Sequence, residues 1–167
     1  GFPDQNPRGA LEKIARKAKF PLISANTYFR ASIVDYMGHP IEVESPLCLP
    51  VNKTEDTATL INWSQAKRPW FLKPYTITHV AGVRVAFIGV DNLYTATMTT
   101  PENVSDLCFR DTTDSYLEIR KELEGRADIF VMVIHNGQDS VVKVIPDILK
   151  RGGTDAVHAV VGGHTHM

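Results

Sequence analysis

Three histidines carry the first chemical signal in this chain. His164 and His166 flank a single threonine, and His135 stands upstream of them in Ile134-His135-Asn136-Gly137. Residues two apart in extended backbone project to the same side, so His164 and His166 can reach into one small volume. Imidazoles grouped in that way suit divalent cations such as zinc, manganese or iron. A His-x-His pair alone is a loose pattern, and a polar loop leaving a sheet would explain it as well. The segments ahead of the histidines sharpen the reading. Residues 156–161 are a run of small and β-branched side chains that breaks at Gly162-Gly163, and residues 128–134 are an apolar run that ends on His135. Both read as buried strands. Ligands of open α/β sheets bind beyond the carboxyl ends of strands, where these histidines stand. The two glycines are expected to let the backbone turn sharply ahead of His164.

The elements that must position these side chains follow from periodicity. Between the two strands, residues 140–150 put Val141, Val144, Ile145 and Ile148 on one helical face, with Gly152-Gly153 as terminator and Pro146 warning of a kink or a late start. Strand, helix, strand with apolar strands predicts a right-handed parallel crossover, which places His135 and the His164-His166 pair on one sheet edge. Residues 111–125 read as a helix capped by Asp111 or Thr112, with Tyr116, Ile119 and Leu123 facing inward and Gly125 ending it. Residues 75–80 and 83–89 alternate around Ala81-Gly82, the signature of a β-hairpin. Nearer the start, residues 10–19 predict an amphipathic helix on Leu11, Ile14, Ala15 and Ala18, and residues 20–25 a short apolar strand. Asn26 follows that strand and is read as a backbone hydrogen-bonding residue. Residues 27–69 show no sustained period and predict an irregular excursion. Pro101 is expected to open a short helical turn.

The remaining candidates have plainer readings. His39 lies between Gly38 and Pro40 and reads as a solvent-facing turn residue, and His79 as a surface or cross-strand residue of the hairpin. His158 alternates with Val157 and Ala159 inside the final strand and predicts a packed, hydrogen-bonded histidine. Trp63 and Trp70 are read as partial core rather than base-stacking platforms. Asp91-Asn92, after the second hairpin strand, fits a turn or the mouth of a cleft.

Composition bounds the function classes. The 167 residues are 43% hydrophobic and 22% charged, an ordinary globular mixture. A chain of that length buries about 70% of the surface its unfolded form exposes, enough for a real core. A formal net charge of -1 argues against a nucleic-acid or anionic-membrane surface built on bulk charge. No apolar run is long enough to span a membrane, and no signal-peptide pattern is present in these residues. Cys48 and Cys108 allow at most one internal disulfide, which the sequence does not decide. Asn52, Asn62 and Asn103 open N-glycosylation tripeptides whose use the sequence also leaves open.

Ile134-His135-Asn136-Gly137 and Gly162-Gly163-His164-Thr165-His166, with a helical pattern between them, resemble the last two metal motifs of the calcineurin-like metallophosphoesterases. More narrowly, the chain resembles the N-terminal catalytic domain of the secreted 5'-nucleotidase and 2',3'-cyclic-nucleotide phosphodiesterase family. Lys19-Phe-Pro-Leu-Ile-Ser-Ala-Asn26, Lys73-Pro74-Tyr75 and Gly82-Val-Arg-Val-Ala-Phe-Ile-Gly89 agree with it in the same order. The resemblance implies an α/β fold, part of a layered αββα sandwich with parallel strands and at least one β-hairpin. It implies residues 1–167 to be a partial metallophosphoesterase domain, in a protein that is periplasmic, on the cell surface or secreted.

The implied chemistry is hydrolysis of nucleotide phosphate esters by two divalent metal ions, zinc, manganese or iron. His135 and His164 look like ligands of one ion and His166 like a ligand of the other. The family's Asp-x-His pair, its bridging aspartate and its Gly-Asn-His-Glu motif have no match in these residues, nor has its C-terminal nucleoside-binding domain. The expectation is therefore a fragment that by itself binds metal weakly and has little or no activity. Two alternatives stay open: a non-catalytic binding module with a degenerate metal site, or a metallophosphoesterase for a cyclic dinucleotide, a sugar nucleotide or a sulfur-oxidation intermediate.

Overall fold

The computed structural model describes residues 7–44, 48–50 and 60–164. Their elements in chain order are α1 (Pro7–Lys17), β1 (Thr27–Phe29), β2 (Tyr75–Val80), β3 (Val83–Val90), α2 (Thr95–Met98), β4 (Leu107–Phe109), α3 (Thr112–Glu122), β5 (Ile129–Ile134), α4 (Gln138–Gly152) and β6 (Ala159–Gly162). The chain forms two compact units, one of Gly1–Phe20, Thr27–Phe71 and Leu93–Arg110, the other of Pro21–Asn26, Leu72–Asn92 and Asp111–Met167. Among the described residues no helix is long and apolar enough to cross a membrane.

The second unit holds the histidines. Its four-stranded sheet has the order β2-β3-β5-β6. The β2–β3 pair is antiparallel and closes at Val80↔Val83, with Ala81 and Gly82 at φ 50° and 83°. Positive φ at both central residues is the two-residue hairpin turn whose twist matches the strands. The β3–β5 and β5–β6 pairs are parallel, so the sheet is mixed and mostly parallel. Alternate residues of the central strands, Ala86, Ile88 and Val90 on β3 and Phe130, Met132 and Ile134 on β5, are buried with Tyr116 and Ile119 of α3, Leu123 at its C-cap and Ile148 of α4. Period two on the strands thus meets period 3.6 on the helices, and this face makes the core. An α/β arrangement with a hairpin and a parallel β5–α4–β6 crossover is therefore observed. Among the described residues this unit holds one sheet rather than the two of a four-layer sandwich.

Local signals set the helix ends. The Asp111 carboxylate accepts the Asp114 N–H at 2.9 Å and caps α3. Gly153, at φ 87°, ends α4, which starts at Gln138 and continues through Pro146. Residues 20–25 do not form the expected strand. They run as a single parallel bridge, Ile23↔Lys73, with the Ala25 N–H donating to the Gly89 carbonyl at 2.7 Å. Gly89 is what allows this, because any Cβ there would collide with the Ile23 backbone.

The first unit supplies order in the stretch that has no period. β1 and β4 pair antiparallel from Thr27↔Phe109 to Phe29↔Leu107. Around them Tyr28, Ile33, Val43, Ile61 and the bonded pair Cys48–Cys108 form a separate core. Trp63 packs on Tyr28 with ring centroids 5.0 Å apart, the partial-core role expected of it. Trp70 departs from that expectation, being 61% exposed with the Arg16 guanidinium 5.0 Å above its ring. The predicted apolar face of α1 is likewise only half covered, and Ile14 is 60% exposed.

Candidate metal centre

The ends of three neighbouring strands meet on one sheet edge. Val90 pairs with Ile134 and Ile134 pairs with Gly162, so the residues that follow β3, β5 and β6 emerge side by side. The backbone fixes these exits. The His135 N–H donates to the Val90 carbonyl at 3.2 Å, and the Gly163 N–H donates to the Ile134 carbonyl at 3.1 Å. Asn136 turns its side-chain oxygen back onto the Gly137 N–H at 3.0 Å, which shapes the start of α4.

Held in this way, His135 and His164 come together. His135 Nε2 and His164 Nδ1 are 3.2 Å apart, with the rings edge to face and their centroids 5.0 Å apart. That spacing suits either of two states: an N–H···N hydrogen bond between neutral rings, or two nitrogens directed at a shared cation. Nitrogens about 2.0–2.1 Å from one tetrahedral zinc lie about 3.3 Å from each other, so the separation of this pair is that of two ligands of one divalent ion. His164 has φ 106°, outside the regions an L-residue ordinarily occupies. The sharp turn thus falls on the histidine itself, whereas Gly162 and Gly163, expected to provide it, have no positive φ. Backbone strain of this kind persists where the surroundings over-determine it and is frequent at functional sites.

His166 lies outside the described residues, and among the described residues no three His, Cys, Asp or Glu side chains converge as a metal site. His39 and His79 take the places expected of them. His39 pairs with Asp35 at 3.2 Å in an exposed turn, and His79 stands opposite Arg84 in the hairpin. His158 is hydrogen-bonded as expected but exposed rather than packed, because β6 is the outer strand of the sheet among the described residues. Its ring does unusual work for an exposed side chain. The His158 N–H donates to the Phe130 carbonyl at 2.9 Å, and the Phe130 N–H donates to His158 Nδ1 at 3.1 Å. Since a backbone N–H can only donate, Nδ1 is the acceptor of this bond. The Ala156 carbonyl nearby accepts the Tyr116 hydroxyl at 3.0 Å.

One positioning residue was visible in advance. Asn26 is fully buried, its Nδ2 donates to the Asp91 carbonyl at 2.9 Å and its Oδ1 accepts the Asp91 N–H at 2.7 Å. It clasps the backbone where the chain leaves β3, next to His135 in register. The brace at the base of the sheet was not visible, because it joins residues far apart in sequence. Arg84 donates to both carboxylate oxygens of Asp128, at 2.6 and 3.1 Å, and to the Gly125 carbonyl at 2.8 Å. These bonds hold the Asp128 carboxyl at a pKa of about 2, below its ordinary 3.8.

A mixed α/β sheet of this kind is found in a portion of nucleotidase structures. Two of these are the NAD nucleotidase of Haemophilus influenzae, with TM-score 0.55 and 18% identity over 98% of this chain, and a 5'-nucleotidase precursor from Thermus thermophilus, with TM-score 0.55 and 20% identity over 95% of it. The chain spans 22% and 24% of their lengths, so the likeness is to a portion of each. Identity this low establishes a shared fold. No family model and no curated protein matches the sequence.

Proposed function

We propose that this chain supplies one part of a dinuclear metal site that hydrolyses phosphate esters of nucleotides in a longer protein. His135 and His164 would hold one ion and His166 the other. The observation that carries this reading is the 3.2 Å approach of two imidazole nitrogens from adjacent parallel strand ends. The likeness to a portion of nucleotidase structures supports it. Two divalent ions, zinc, manganese or iron, would supply the Lewis acidity that phosphoester hydrolysis needs. The chain's own contribution is orientation: the β5 and β6 ends fix the two rings, and the Asn26 clasp holds the neighbouring β3 exit.

Three histidines leave two ions short of ligands and of compensating negative charge. Carboxylates from a further part of the catalytic domain would complete the site, and residues 1–167 alone would bind metal weakly. The same reading puts the protein in the periplasm, on the cell surface or in secretion. The buried Cys48–Cys108 disulfide supports this, since such bonds persist in oxidising compartments.

Hydrolysis of a nucleoside 5'-monophosphate by the full-length protein with added zinc or manganese tests the proposal. His135→Ala and His164→Ala should each lower kcat/KM by more than the roughly 10–100-fold that loss of a ligand's hydrogen-bond partner brings. Undiminished turnover in both variants would contradict the assignment. Efficient turnover by the 167-residue chain alone would contradict the need for further ligands.

A further inference from the structure

Of the three N-glycosylation tripeptides, the structure separates two. Asn62 is half-buried, and its side-chain oxygen accepts the Ser64 hydroxyl at 2.6 Å, so the asparagine and the hydroxyl of that tripeptide are engaged with each other. Asn52 lies outside the described residues. Asn103 is different. It sits on a short 3-10 turn, Pro101–Val104, and is exposed, as are the preceding Glu102 and the Ser105 that ends its tripeptide Asn103-Val104-Ser105. Its backbone N–H donates to the Thr100 carbonyl at 3.0 Å, while its carboxamide has no hydrogen-bond partner among the described residues.

We infer that Asn103 is an acceptor for an N-linked glycan. Its carboxamide nitrogen would displace the diphosphate from the anomeric carbon of a polyprenyl-diphosphate-linked oligosaccharide. The C–O bond to the leaving diphosphate breaks as the C–N bond forms, and the nitrogen loses one proton. The inference rests on the extracytoplasmic reading above, because such donors act on chains passing through an oxidising secretory compartment. Two independent features favour Asn103. A glycan there replaces no buried contact, since the asparagine, Glu102 and Ser105 face solvent. The same turn packs beside α2, whose Met98 and N-cap residue Tyr94 are 58% and 56% exposed, so a sugar chain would cover apolar surface that the fold leaves in water.

The full chain, secreted from a eukaryotic cell behind a heterologous signal peptide, is treated with peptide-N-glycosidase and mapped by mass spectrometry. Conversion of Asn103 to aspartate by the glycosidase is expected. Asn103→Gln and Ser105→Ala should each remove the same step in electrophoretic mobility, the second while leaving the asparagine in place. A secreted protein whose Asn103 is unmodified would overturn the inference. Alkylation without reduction scores the compartment reading separately. Labelled Cys48 or Cys108 together with a glycan at Asn103 would sink that reading alone, and unlabelled cysteines with a bare Asn103 would sink this one.

Discussion

At the residue scale, the His158 ring accepts the backbone N–H of Phe130. Replacing His158 with leucine keeps its backbone bond to Phe130 but strands the N–H of Phe130, a residue only 2% exposed. A buried donor left without a partner costs about 1–3 kcal/mol, which urea unfolding of His158→Leu should show. Asn26→Ala should cost a similar amount, because it removes both bonds to the Asp91 backbone at once. These two residues differ in how far they could be read beforehand. A lone asparagine closing an apolar segment has to find backbone partners, and it does. The apolar run predicts a hydrogen-bonded His158, but its exposure depends on β6 being the outer strand among the described residues, which local sequence does not encode.

At the element scale, hairpin, capped helix and crossover were legible because each is set by local chemistry: Ala81-Gly82, Asp111, and the two apolar runs around α4. Residues 20–25 were misread as a strand because their pairing is settled by a distant contact, the seat that Gly89 leaves for Ile23. Gly89→Ala should therefore destabilise by about 1–3 kcal/mol or more, the usual cost of overpacking, with loss of protection at the Ala25 amide in hydrogen exchange. The brace between β3 and β5 gives a pH signature. A folded pKa of about 2 for Asp128, below its ordinary 3.8, means that its contribution to stability is fully present above about pH 4 and is lost as pH falls toward 2. Urea midpoints of the natural chain and Asp128→Asn should thus differ most above about pH 4 and converge toward about pH 2. A constant difference across that range would exclude the Arg84 pairing as its source. The stretch from 27 to 69 was illegible for another reason. The order of its described residues comes from the three-residue β1 pairing, isolated bridges and a disulfide, none of which leaves a period in the sequence.

At the scale of the whole molecule, each unit has its own core, and both tryptophans belong to the unit that carries the disulfide. Cys48 and Cys108 close a loop with a sequence separation of 60, so Cys108→Ala should lower the stability reported by tryptophan fluorescence by about 2–4 kcal/mol. Far-UV circular dichroism, which also reports α3 and α4 of the other unit, provides the comparison. The candidate site was legible in outline, since two apolar runs ending in histidines predict imidazoles at strand ends. The strained turn at His164 was not legible, because the glycines beside it were the expected place for it. His135 and His164 are proposed to share one divalent ion. Zinc is titrated into the full chain while the histidine ring nitrogens are followed by nitrogen-15 NMR. His135 Nε2 and His164 Nδ1 should shift together with one apparent affinity, and His135→Ala should abolish the shift at His164. Zinc-dependent shifts confined to other histidines, or an unchanged His164 response in His135→Ala, would contradict that sharing.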